Sequence, residues 1–177
     1  MYKDFEDSLK DQMPSGVEAK TNHVIGVADY GSALMVVMDV SGSMGTAAGK
    51  RLFIPSSFFE ASNKALFVEG KRTTPIELPY PYAREDTVVI HLPPSLAVES
   101  APENAEIPLL QNALYRASFR HMANSLEARR LFLLGNTVYS VSEYGALKDF
   151  YQKVNAKDQE QVVLKAAPVP ATNGPKH

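Results

Sequence analysis

The chain has 177 residues, 45% of them hydrophobic, with 18 Lys+Arg against 20 Asp+Glu and a formal net charge of −2. That length suits one domain with a real apolar core, and so small a net charge gives no positive field to draw in a nucleic-acid backbone or an anionic membrane. Cysteine is absent, which excludes thiolate nucleophiles, disulfides and cysteine-ligated zinc within the chain.

In chain order, Tyr2, Phe5, Leu9 and Met13 recur at intervals of three and four among charged residues. They predict a short amphipathic helix stopped by Pro14-Ser15-Gly16, so that residues 1–16 form an N-terminal helix and linker. This stretch lacks the apolar centre of a signal peptide, and no apolar run in the chain approaches the ~20 residues of a membrane span.

From Val17 the pattern changes to short β-branched, aromatic and aliphatic segments separated by turn residues. Strands are predicted over Val17–Ile25, Ser32–Val40, Lys50–Ile54, Thr73–Leu78, Thr87–Leu92, Leu96–Ser100, Leu114–Met122 and Leu126–Leu134. In the seventh, Tyr115, Ala117 and Phe119 alternate with Arg116, Ser118 and Arg120, which separates a core face from a wet one. The eighth repeats the pattern with Ala128, Phe132 and Leu134, although Arg130 interrupts its apolar face. The short link Ala123-Asn124-Ser125 makes these two a hairpin. The polar, proline-marked stretch Glu99–Pro108 reads as a solvated connection.

A late helix is predicted from about Ser142 to Gln161. Ser140 and Glu143 have capping-box spacing, and Leu147, Phe150, Tyr151 and Val154 form one apolar stripe. Val162-Val163-Leu164 reads as a final short strand, and residues 166–177 as a disordered tail. The predicted fold is mainly β: an antiparallel β-sandwich of about eight strands over residues 17–165, with the short N-terminal helix and one C-terminal amphipathic helix packed on it.

Candidate chemistry is sparse. Leu34 through Met44 runs a hydrophobic strand into Asp39-Val40-Ser41-Gly42-Ser43-Met44. This string resembles the metal-ion-dependent adhesion site of von Willebrand factor A domains, where one carboxylate and two serine oxygens bind Mg²⁺ at the end of a parallel strand. That resemblance implies a doubly wound α/β fold with a helix directly after the loop. Here Gly45-Thr46-Ala47-Ala48-Gly49 is followed by the strand-like Arg51–Ile54. The preferred expectation is therefore a turn between two strands, with no metal and no cofactor, and the Mg²⁺ adhesion module is the alternative.

His23, His91, His121 and His177 lack the short spacings of a local metal pair. No G-x-S-x-G elbow presents a serine nucleophile. Glu103 and Glu106 lie close together, but nothing apolar nearby would raise either pKa for acid–base work. Leu78-Pro79-Tyr80-Pro81-Tyr82 combines proline-extended backbone with two amphipathic rings, so Tyr80 and Tyr82 form a candidate interaction surface for carbohydrate or peptide. The bland reading is that both rings cover the open edge of the core.

Several strings in order resemble one family: Gly49-Lys50-Arg51-Leu52-Phe53-Ile54-Pro55, Phe58-Phe59-Glu60, Lys71-Arg72-Thr73 and Pro79-Tyr80-Pro81-Tyr82, then Glu85-Asp86, Leu92-Pro93-Pro94 and Val98-Glu99-Ser100. Glu143-Tyr144, Phe150-Tyr151 and Asp158 to Leu164 continue the series. The family is the C-terminal domain of unknown function in bacterial proteins that carry an N-terminal β domain and a central transglutaminase-like, papain-fold domain. The resemblance runs from the first helix to about Lys165. It implies a β-sandwich beside a catalytic core and a cell-envelope or secreted (periplasmic or extracellular) location. It also implies a non-catalytic accessory role, with the neighbouring transglutaminase-like domain of the same polypeptide as partner. That family's cysteine chemistry belongs to the central domain, and this chain has no cysteine to receive it.

Overall fold

The computed structural model describes residues 16–29, 31–60, 65–122 and 124–167. The predicted N-terminal helix and nearly all of the predicted tail lie outside the described residues. By compactness the chain divides into two units, residues 1–46 and 47–177.

In the first unit, β1 (Val17–Ile25) pairs antiparallel with β2 (Met35–Gly42). β1 has the predicted bounds, whereas β2 begins three residues after the predicted Ser32. The delay has a local cause. Asp29 accepts hydrogen bonds from the Gly31 amide at 3.0 Å and from the Ser32 hydroxyl, and its carbonyl accepts from the Ser32 amide at 3.1 Å. An aspartate turn of this kind competes with strand extension. The ladder slips between Thr21 and His23, which leaves Asn22 as the extra residue of a β-bulge.

The second unit is mainly β. β3 is Thr46–Ala48, at the junction of the two units, and β4 is Arg51–Pro55. β5 (Ile76–Glu77) pairs with β11 (Val138–Tyr139) in a two-stranded sheet. The remaining strands are β6 (Tyr82–His91), β7 (Leu96–Ser100), β8 (Ala105–Leu109), β9 (Ala113–Met122), β10 (Ser125–Leu134) and β12 (Gln161–Ala166). One four-stranded sheet has the order β6-β10-β9-β8 and another the order β3-β4-β12-β7. β10 pairs antiparallel with β6 and β9, β9 with β8, and β12 with β4 and β7, so the mainly β, antiparallel fold expected from the sequence is the observed one.

Alternation decides which face is buried. On β10, Leu126, Ala128, Arg130, Phe132 and Leu134 are all buried, while Arg129 and Leu133 are exposed. On β9, Ala113, Tyr115 and Ala117 share the buried face, and Arg116 points away. A 3₁₀ turn (Val141–Glu143) leads into the helix α1 (Tyr144–Asp158), whose buried residues are Tyr144, Leu147, Phe150, Val154 and Asp158. That spacing of three and four is one helical stripe. It packs with Tyr115, Ala117, Phe132 and Leu134 in the larger core cluster. A second cluster joins the inner faces of the two four-stranded sheets through Ile54, Val162, Leu164 and Leu126, with Ile90 and Val98 at its margin.

The predicted capping box is present: the Glu143 carboxylate accepts from the Ser140 amide at 2.7 Å, and the Ser140 carbonyl accepts from the Glu143 amide at 3.1 Å. Bonds donated by the Ser140 amide, the larger effect, and by the Ser140 hydroxyl at 2.8 Å hold the Glu143 carboxyl below the usual range.

Three expectations need correction. The stretch Glu99–Pro108 is not a plain solvated connection, because Ala105–Leu109 forms edge strand β8 with Glu106 directly opposite Arg116 and bonded to it at 2.7 Å. Pro108 is tolerated there because an edge strand has one side without ladder partners. The strand predicted at Thr87 begins at Tyr82, since Arg84, Glu85 and Asp86 are the charges that edge strands carry. The strand predicted over Thr73–Leu78 shrinks to two residues, with Pro75, which has no amide to donate, directly before it.

Candidate functional site

Arg130, which breaks the apolar pattern of β10, is the centre of a buried polar cluster. Its side chain lies under the sheet at 9% exposure beside Asp158, the last residue of α1, at 5%. The guanidinium forks onto the carboxylate, with Nε donating to Oδ1 at 2.8 Å and Nη2 donating to Oδ2 at 2.9 Å. Oδ1 also accepts from the Tyr115 hydroxyl at 2.8 Å and the Ser57 hydroxyl at 3.0 Å. One carboxylate thus gathers residues from the loop after β4, from β9 and from β10 onto the helix end.

A second layer extends this cluster along the sheet edge. Arg130 Nη1 lies 3.6 Å from Asp86 Oδ2, Arg84 Nη1 lies 2.7 Å from Glu60 Oε1, and Arg84 Nε lies 3.3 Å from Asp86 Oδ1. Arg130 also sits over the rings of Tyr115 and Phe132, 5.3 and 5.6 Å from their centroids. Stacking of this kind suits a planar guanidinium better than an ammonium.

The electrostatics follow from burial set against partners. Burial works against the Arg130 charge, but the hydrogen bonds and charge of Asp158, aided by Glu60, hold its pKa above the usual value. Tyr115 is pushed far up, first by burial and then by the Asp158 carboxylate that its hydroxyl serves. Burial raises Glu60 as well, against the pull of Arg84 and Arg130. An open cavity of about 310 Å³, counted to its mouth, borders Ser57, Glu60, Asp86, Phe119, Arg129 and Arg130. Its enclosed part has little more room than a water molecule.

Asp39, Ser41 and Ser43 are placed quite differently. Asp39 lies on β2 opposite Lys20, in an antiparallel hairpin rather than at the end of a parallel strand. Its Oδ2 accepts from the side chain of Asn22, the bulge residue, at 2.9 Å. The carboxylate braces a bulge. Among the described residues no group of three or more His, Asp or Glu is placed to hold a metal ion.

Tyr80 and Tyr82 are brought together. Tyr80 is 65% exposed and Tyr82 40% exposed, so neither ring is buried, and the reading in which both merely cover the core edge does not hold. Their centroids are 6.0 Å apart at 66°. Tyr82 stacks on buried Phe132 at 5.6 Å and 15°. Burial raises the Tyr82 phenol above its ordinary value, with Arg130 opposing and Glu60 reinforcing. The aromatic corner therefore adjoins the ionic cluster.

The sequence reading missed the cluster itself. Its signal was available: Arg130 stands on an otherwise apolar face, and continuing the stripe of Leu147, Phe150 and Val154 by four residues reaches Asp158. Two opposite charges on two apolar faces imply a pair.

No helix among the described residues is long and apolar enough to cross a membrane. Among curated proteins, nothing matches this chain. Among solved structures, the chain is similar to a Parabacteroides distasonis protein described as a candidate protease, with 13% identity and a TM-score of 0.48. The match covers 88% of this chain and 25% of that one, so the chain spans about a quarter of that protein's length. A family model described as a domain of unknown function with solved structure (DUF3858) matches residues 50–164. That match takes in all of the strands from β4 to β11 together with α1, and the chain belongs to this family of unknown function.

Proposed function

We propose that this chain is a non-catalytic accessory domain that stabilises or orients a neighbouring transglutaminase-like domain of the same polypeptide. Its setting in this reading is the bacterial cell envelope or the secreted space. The observation that carries the reading is how the most polar part of the core is used. Asp158 spends both oxygens on Arg130, Tyr115 and Ser57, so the buried charges act as a clamp between helix and sheet. Groups held so tightly by one another are poorly placed to exchange protons with a substrate. The order of family-like strings along the chain supports the choice of neighbour.

The test is to produce the polypeptide's papain-fold domain with and without this chain attached. The expected result is a higher melting temperature for the joined protein, and no hydrolysis or cross-linking of peptide amides by this chain alone. Turnover by the isolated chain would overturn the proposal, as would a papain-fold domain indifferent to its presence.

A further inference from the structure

The hairpin of β1 and β2 has two unlike faces. Alternation and register put Ala19, Thr21 and Val24 on one face with Val36, Met38 and Val40, and all six are half-buried. Lys20, His23, Val37 and Asp39 lie on the other face and are exposed. The bulge at Asn22 keeps the first face apolar. Without the extra residue, alternation would follow Thr21 with His23; with it, Val24 takes that place, directly opposite Val36. Shading within a two-stranded ribbon does not account for the difference between the faces, because Val37, flanked on β2 by half-buried Val36 and Met38, is 43% exposed. The first face is therefore a covered one. Both core clusters are made of residues from the second unit, and the described residues between 17 and 45 form only these two strands and their turns.

The sequence just before β1 supplies what the face requires. Tyr2, Phe5, Leu9 and Met13 make one stripe at helical spacing, with Asp4, Asp7 and Asp11 on the far side. The lengths agree, since the 12 residues from Tyr2 to Met13 would span about 18 Å as a helix, and the strand from Val17 to Val24 runs for roughly 20 Å. The point of attachment is fixed. Gly16 has a φ of 82°, which suits glycine and a change of chain direction, and its carbonyl accepts from the Ser43 amide at 3.0 Å. A segment joined there by Pro14-Ser15-Gly16 meets the face at a high effective concentration, so a modest apolar contact suffices to hold it. The compact unit that contains the hairpin also takes in residues 1–15.

We infer that residues 2–13 dock as an amphipathic helix on the hairpin face that carries Val24, Met38 and Val40, with Met13 toward the Gly16 end and Tyr2 toward Val36. This inference is independent of the neighbouring-domain reading, because it concerns contacts within one chain. The chain has no cysteine, so a pair introduced into the whole chain reports on one contact. Leu9→Cys combined with Met38→Cys is expected to be linked within single chains by a short bis-maleimide. Leu9→Cys combined with Val37→Cys, on the opposite face, is expected to stay unlinked. Leu9→Asp, which sets a carboxylate in the stripe, is expected to speed amide hydrogen exchange across β1 and β2 about tenfold, with β9 and β10 unchanged. Asp7→Ser, on the far side of the stripe, is expected to change neither. The inference is overturned if the Leu9 and Met38 positions fail to link, if both pairs link equally, or if Leu9→Asp leaves β1 and β2 as protected as in the parent. Links that join two chains instead of one would overturn it too, and would assign the face to a second copy.

Discussion

Asp158 ends the only α-helix among the described residues, and Arg130 neutralises it from the middle of a strand 28 positions earlier. A carboxylate at a helix C-terminus faces the negative end of the helix dipole, so in isolation Asp158 would weaken the last turn. Buried against a forked guanidinium it does the opposite, tying that turn to the sheet. Removing one partner leaves the other charge buried with poorer compensation. Asp158→Ala is therefore expected to cost about 3–5 kcal/mol of folding stability. The double variant Asp158→Leu with Arg130→Met should be less destabilised than Asp158→Ala, because no stranded guanidinium remains. Urea denaturation of the parent, the single and the double variant checks both statements. A double variant worse than the single one would show that the pair stabilises the fold beyond the cost of burying it.

Glu60 should give the cluster a pH dependence of a definite sign. Burial, opposed by Arg84 and Arg130, raises its pKa above the ordinary 4.5 in the folded chain. The folded state then keeps this proton to higher pH than the unfolded state does. The associated stability is fully present below the unfolded pKa and is lost as pH rises through the folded one. Glu99 and Glu143 act in the opposite direction, since hydrogen bonds lower their pKa values, and would mask the effect in the parent alone. Comparison with Glu60→Gln isolates it. The stability difference between variant and parent should move in the variant's favour from about pH 4 toward neutrality. Denaturant midpoints at several pH values measure this, and a constant difference would contradict the assignment.

What could be read from the sequence follows from which physical signals are local. β1 and β7 have the bounds that alternation and turn residues gave, and the Ser140–Glu143 capping box formed as its spacing required. β8 escaped notice because its partner is ten residues away on β9, and only the facing pair Glu106 and Arg116 makes its polar residues suit a strand. The start of β6 was hidden for a related reason, since edge charges resemble loop charges until the neighbouring strand is known. Tyr80 and Tyr82 were recognised as a pair, but whether their rings lay in or out depended on Phe132, fifty residues away in sequence. The ionic cluster required five segments to be placed at once. Apart from Tyr115 and Arg130, which alternation placed on core faces, its members looked like surface residues one at a time.

The helix stripe supplies a sharper test of the core. Leu147 is fully buried between Tyr144 and Phe150 of the same stripe, in the cluster that includes Tyr115 and Phe132. Leu147→Ala removes apolar volume that its large aromatic neighbours cannot easily refill. The expected cost is about 2–5 kcal/mol, with a lower thermal midpoint and little change in helix content at low temperature. Tyr80→Ala is the surface control, expected to shift stability by no more than about 0.5 kcal/mol. If the two variants melted together with the parent, the helix would not be docked on this face of the sheet.

Gly42 closes the ladder of the β1–β2 hairpin, paired with Val17, at a φ of 123°. Side-chain-bearing residues rarely adopt that backbone, and a Cβ added there would drive into the carbonyl oxygen of Gly16. Ser43 depends on the same carbonyl, to which its amide donates at 3.0 Å. Gly42→Ala should therefore force the two strands apart at this end, breaking the Ser43 bond and unzipping toward the bulge at Asn22. A ladder of only two strands has little reserve against such a loss. The expected outcome is faster amide hydrogen exchange across Val17–Thr21 and Met38–Gly42, with the exchange of β9 and β10 unchanged. Asn22→Ala offers a milder comparison, since it removes only the side-chain bond to Asp39. It should speed exchange next to the bulge and leave the Gly16 end protected. If Gly42→Ala left every β1 and β2 amide as protected as in the parent, the positive φ would not be what holds this end of the hairpin together.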